Sequence, residues 1–163
     1  MYLNFYNYLI VKLPINYRLN YYQNFEVDRK PDNFKGIFLE ISIVNRISKK
    51  NHIFVSNYMS YDDANIFLID KNGKYSQSIF NKMRDQNISL LIEDGYDKDY
   101  LLNYTIKPLL RDTLIKNNCA MIHASSFKIK NVTSLICAWA HTGKTNFLIR
   151  NLLDGGEFFG DDI

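Results

Sequence analysis

Residues 137–163 read "CAWAHTGKTNFLIRNLLDGGEFFGDDI", and the fold expected of the chain turns on this stretch. The phosphate-loop pattern G-x-x-x-x-G-K-[ST] lies between a strand and a helix. Here Ala138 takes the place of the first glycine, Trp139, Ala140, His141 and Thr142 fill the gap, and Gly143, Lys144 and Thr145 complete it. Each position has a chemical reason. Successive backbone N–H groups must curl around an anionic oxygen, so the loop must be tight. Gly143 permits close approach, Lys144 puts a point charge on the β and γ phosphates, and Thr145 offers a hydroxyl to Mg²⁺. The helix that opens through Asn146 adds partial positive charge at its N-terminus. The whole run Ala138–Asn146 is therefore the candidate nucleotide-binding segment.

Local context agrees with that reading. "TSLICA" upstream is an apolar strand pattern, "TNFLIRNLLDGG" downstream is a helix with Phe147, Leu148 and Leu152 inward, and Gly155-Gly156 supplies its stop. Ala138 is the departure from the pattern, and it fits only at a negative φ. Trp139 and His141 are bulky for such a loop and must point outward; His141 reads either as a phosphate contact or as a solvent-facing loop side chain. After the helix a short strand, "EFF", leads to Asp161 and Asp162. Two carboxylates at a strand end beside a phosphate loop suit a metal-assisting acid and a general base. Gly-Asp-Asp is also good turn chemistry, and Asp62-Asp63, with no phosphate loop nearby, reads as a turn.

Working outward, residues 98–116 carry apolar side chains at helical spacing. Asp97 or Asp99 caps the start, Asn117-Asn118 ends the run, and Pro108 in its middle predicts a kink or a split. Residues 1–97 read as β-rich. "GIFLEISIV" puts Ile37, Leu39, Ile41 and Ile43 on one face, and "NIFLIDKNGKYSQSIF" is a hairpin turning at Asn72-Gly73. The expected fold class is thus α/β: a β-rich region over 1–97, then over 98–163 the start of a nucleotide-binding domain.

Bulk composition sets outer limits. The 163 residues are 47% hydrophobic and 23% charged, enough apolar side chain for a core and too ordinary a charge fraction for disorder. Twenty basic residues against 17 acidic ones give +3, too balanced for a nucleic-acid footprint. No apolar run reaches the roughly 18 residues of a membrane span, so neither nucleic acid nor membrane is an expected partner, and cytoplasm is the default location. Cys119 and Cys137 lack metal-ligand spacing and read as reduced, buried thiols.

"MIHASSF … LICAWAHTGKTNFLIRNLLDGGEFFGDDI" resembles the start of the catalytic domain of HPr kinase/phosphorylase and its relatives, a fold related to PEP carboxykinase. The resemblance covers residues 98–163 and lies in the order strand with a histidine (Ile122-His123-Ala124), second strand, phosphate loop, helix, strand and paired acids. It implies ATP and Mg²⁺ as cofactors and transfer of the γ-phosphate to a serine-like hydroxyl on a protein, peptide or small molecule. It further implies Lys144 on the phosphates, Thr145 and Asp161 on the metal, Asp162 as general base and His123 near the phosphates. His123 reads equally well as a strand histidine held by a backbone partner. Residues 1–95 do not resemble the amino-terminal domain of that enzyme, so another acceptor is expected. The family's domain continues past the acid pair, so the chain reads as the amino-terminal part of a longer kinase, with a homo-oligomer or a missing C-terminal half among its expected partners. A non-catalytic nucleotide-binding or interaction module and an inactive kinase fragment are the competing expectations.

Overall fold

Two residues at positive φ set the first hairpin: Tyr6 (55°) and Asn7 (62°) turn β1 (Tyr2–Phe5) back onto β2 (Leu9–Lys12). The Asn4 side chain braces the turn by accepting from the Asn7 N–H at 2.9 Å, the local bond that lets asparagine tolerate this conformation. The computed structural model describes residues 1–15, 17–48, 52–79, 86–139 and 142–160. They divide into two units, Met1–Cys119 and Ala120–Ile163.

The first unit is built on one mixed sheet. To β1 and β2 it adds β3 (Glu26–Val27), β4 (Ile37–Val44), β5 (Ile53–Ser56), β6 (Met59–Tyr61), β7 (Asn65–Ile69), β8 (Tyr75–Ile79) and β9 (Asn87–Glu93), in the order β3-β1-β2-β4-β9-β8-β7-β6-β5. β2, β4 and β9 run parallel; the remaining pairs are antiparallel. Leu39 and Ile41 are buried as the alternation predicts, whereas Ile43 is exposed beyond them. The β7–β8 hairpin forms where expected, with Gly73 at φ 73°. Gly36 is required by packing, since an added Cβ would collide with the carbonyl of Tyr8.

One helix, α1, covers the sheet: Lys98–Leu101 and Lys107–Lys116 are α-helical and Leu102–Ile106 is a π turn between them. Its buried positions are Leu101/Leu102, Thr105/Ile106, Leu109/Leu110 and Thr113/Leu114, pairs that recur every four residues. At 3.6 residues per turn such a stripe would rotate about 40° per repeat; the wider turn keeps it facing β2, β4 and β9. The same turn accommodates Pro108, because Lys107 N–H reaches back five residues to the Leu102 carbonyl. The proline is thus absorbed without splitting the helix. Asn118, at φ 57°, ends it with two reverse bonds, Asn118 N–H to Ile115 O and Cys119 N–H to Leu114 O.

The second unit holds β10 (Ala124–Ile129), β11 (Val132–Cys137), helix α2 (Lys144–Leu153) and β12 (Glu157–Gly160), in the sheet order β11-β10-β12. Both neighbours of β10 are antiparallel to it. This corrects the expected α/β class with a kinase-like domain at its C-terminal end. The protein is mostly β, with 40% strand, 23% helix and one 19-residue helix, in two sheets. An α/β nucleotide-binding domain lays helices over a parallel sheet, and here the second sheet has no parallel pair among the described residues. The physical cause is the two-residue turn at Lys130-Asn131, with Lys130 at φ 54°, which can only return the chain antiparallel. The helix α1 belongs to the core of the first unit, so the boundary read at 97/98 and the division at 119/120 lie on either side of it. The cysteines are free, Cys119 partly buried and Cys137 exposed. No helix among the described residues is long and apolar enough to cross a membrane.

Asp97 caps α1: its Oδ1 accepts from the N–H groups of Asp99 (2.9 Å) and Tyr100 (3.0 Å), and its Oδ2 lies 2.8 Å from Lys71 Nζ. Its own N–H donates to the buried Asp70 carboxylate at 2.6 Å. Lys71 first, then the capping N–H groups, hold the Asp97 carboxyl below its ordinary value. A depressed folded value stabilises the protein above the unfolded value of about 3.9 and stops doing so as pH falls through the folded one. Asp97→Ala is therefore expected to cost about 1 kcal/mol at pH 7, with the deficit shrinking below pH ~4. Urea melts of both proteins at the two pH values measure it, and a deficit independent of pH would contradict the assignment.

Candidate functional site

The register of β10 brings three chain segments to one edge of the second sheet. Ala124, its first residue, pairs with Cys137, the last of β11, and Ser126 pairs with Gly160, the last of β12. His123 enters this edge just ahead of β10, the loop to α2 leaves it from β11, and β12 ends there. Between Ser126 and Phe127 the β10–β12 register shifts, which places Phe159 as an extra residue, a bulge of the kind that re-aims a strand end. Lys128 and Glu157 face each other at 3.8 Å.

The helix α2 starts at Gly143, whose φ of 89° and ψ of 19° lie in the left-handed region, and no side chain caps that end. A Cβ built on Gly143 would meet nothing within 4 Å, so the glycine answers to backbone conformation and not to crowding. Ala138 is not among the described residues with positive φ, the condition under which alanine can replace the pattern's glycine. Thr142 closes the end of the loop on its start, with its hydroxyl donating to the Trp139 carbonyl at 2.6 Å.

The far end of α2 is fixed by paired reverse bonds, Gly155 N–H to Leu152 O at 3.1 Å and Gly156 N–H to Asn151 O at 3.0 Å, with Gly155 at φ 89°. Leu148 is buried under the helix, and Phe147 meets Phe127 of β10 at 6.2 Å between ring centroids while half its surface stays exposed.

Lys144, the first residue of α2, is only 6% exposed. Its Nζ lies 3.1 Å from Nε2 of His123. An ammonium can only donate, so Nε2 accepts when the imidazole proton is on Nδ1. Two residues singled out separately in the sequence are thus in direct contact, 21 positions apart in the chain. Thr145 and Asn146 are exposed in the first turn of α2, and Trp139 is 87% exposed. Ala140, His141, Asp161 and Asp162 lie outside the described residues. Sequence reasoning missed the Thr142–Trp139 bond and the bulge at Phe159; a threonine three residues after the carbonyl it caps was the available signal for the former, and none marked the latter.

A cleft of about 320 Å³ in the first unit is lined by Arg18, Leu19, Tyr22, Asp97, Lys98, Asp99 and Leu102. Its charges are mixed, and Asp97 already serves as a helix cap, so it offers less directed chemistry than the edge at Lys144. Among the described residues no cluster of three or more His, Cys, Asp or Glu side chains is arranged to hold a metal.

No protein-family model, curated protein or solved structure matches the chain.

The two glycines that frame α2 make a paired prediction. Gly143→Ala adds only backbone strain, about 1 kcal/mol, whereas a Cβ at Gly156 would meet Asn151 O at 2.7 Å and Lys128 O at 3.2 Å. Amide exchange in α2 is expected to speed up about fivefold in Gly143→Ala and by more in Gly156→Ala. Equal protection in both variants and the parent would contradict this account of the helix ends.

Proposed function

We propose that the second unit binds the phosphate tail of a nucleotide, ATP with Mg²⁺, at the sheet edge formed by His123, the loop Ala138–Gly143 and the first turn of α2. The observation that carries the reading is the near-buried Lys144, its ammonium held against His123 at the start of a ten-residue helix. Lys144 supplies a positive charge to the β and γ phosphates, and the backbone N–H groups of the first helical turn supply directional donors. Gly143 allows the loop to enter that helix left-handed. Thr145 and Asp161 are oxygen donors of the type Mg²⁺ takes, and the metal would neutralise phosphate charge there.

The reaction this reading assigns to the chain is transfer of the γ-phosphate to a hydroxyl acceptor. Asp162 would take the acceptor's proton as its oxygen bonds to phosphorus and the bond to the leaving ADP breaks. Asp161 and Asp162 lie outside the described residues, and their roles are read from their place in the sequence after β12. His123 acts on the phosphates through its hold on Lys144. The acceptor is a hydroxyl-bearing protein, peptide or small molecule.

Calorimetric titration of the whole chain with MgATP, beside Lys144→Ala, tests the reading. Binding in the micromolar range is expected, weakened at least tenfold in the variant, with circular dichroism showing both proteins folded. Equal affinity in the two folded proteins, or no binding to the parent, would overturn it. Production of ADP in the presence of a hydroxyl acceptor, lost in Asp162→Asn, separates a kinase from a binding module.

A further inference from the structure

The chain contains a single tryptophan, and it stands in the loop ahead of Lys144 with 87% of its surface exposed. That is an unusual place for an indole, which ordinarily contributes its large apolar faces to a core or an interface. Its backbone is not loose. The Trp139 carbonyl is capped by the Thr142 hydroxyl at 2.6 Å and by the Thr142 N–H at 3.4 Å, which ties the residue to the turn that enters α2. Ala138 before it directly follows β11. The ring is therefore an exposed flat surface on a backbone tied to the helix entry, five residues ahead of the near-buried Lys144.

We infer that Trp139 is a stacking platform for the ring of the phosphate-bearing ligand, so that this site selects a nucleotide over a bare polyphosphate. The inference rests on the proposed phosphate-binding loop and adds the part of the ligand that the loop itself does not read. Stacking suits the position because every nucleobase has a π face, and an aromatic side chain already held in place loses little freedom on binding. No hydrogen bond to the base edge is required, so purine nucleotides are expected to bind with little discrimination among them, and a pyrimidine nucleotide more weakly for its smaller stacking area.

The test compares MgATP with magnesium tripolyphosphate, the same charge without a ring, by calorimetry on the whole chain. In the parent protein MgATP is expected to bind about tenfold more tightly, the scale of one base stacked on one aromatic ring. Trp139→Ala is expected to remove that margin, bringing the ratio of the two affinities close to one, and Trp139→Phe to keep most of it. As the only indole, Trp139 also reports directly: its emission is expected to be quenched by MgATP, and its access to acrylamide reduced, with little change from tripolyphosphate. Lys144-dependent tripolyphosphate binding with no preference for ATP, or a preference that survives in Trp139→Ala, would overturn this inference alone. Failure of both ligands to bind the parent would overturn the loop reading and this inference with it.

Discussion

The antiparallel register of β10 with both of its neighbours is the constraint on which the second unit depends. A two-residue turn at Lys130-Asn131 fixes Ala124 opposite Cys137, and the pairing of Ser126 with Gly160 brings the end of β12 to the same edge. A slip by one residue would turn Phe127, which is buried, to the other face of the sheet. It would also draw His123 away from Lys144. The contact between a residue ahead of one strand and a residue after the next is thus a consequence of strand pairing, and the chemistry proposed for Lys144 inherits its geometry from the sheet.

Much of this unit was legible because its signals are local. A glycine before a lysine at a helix start, a Gly-Gly stop and a short apolar strand each act over a few residues, and α2, its ends and β12 lie where the sequence puts them. Fold class was not legible in the same way. "TSLICA" reads as an apolar strand, yet Leu135 within it and Val132 just before it are more than half exposed, because β11 is at the edge of a three-stranded sheet. An apolar run does not say whether its neighbours are parallel or antiparallel, nor how many cover it. The helix over residues 98–116 was likewise found by its periodicity, and it packs in the core of the first unit; amphipathicity tells which face is buried and not against what.

In the first unit, local signals and tertiary demands meet at Asp97 and at Pro108. Asp97 was one of two acids that could cap α1, and the choice falls to it because Asp70, itself buried with its Oδ1 accepting from Asn72 and Lys74, accepts the Asp97 N–H. Pro108 is a helix breaker on local grounds, yet the chain continues through it because a π turn keeps a four-residue apolar stripe on the sheet. Packing decided both, at positions where the sequence offered alternatives.

The claim that unites these observations is that the edge at His123 and Lys144 receives a phosphate chain. Backbone amide spectra of the ¹⁵N-labelled protein, recorded as MgATP is added, test it most directly. The account predicts shifts concentrated at Gly143, Lys144, Thr145 and Asn146, extending to Ala124 across the edge, with the amides of β4 and α1 unmoved. Shifts centred instead on Arg18, Lys98 and Asp99, or no saturable shift at Lys144, would contradict it.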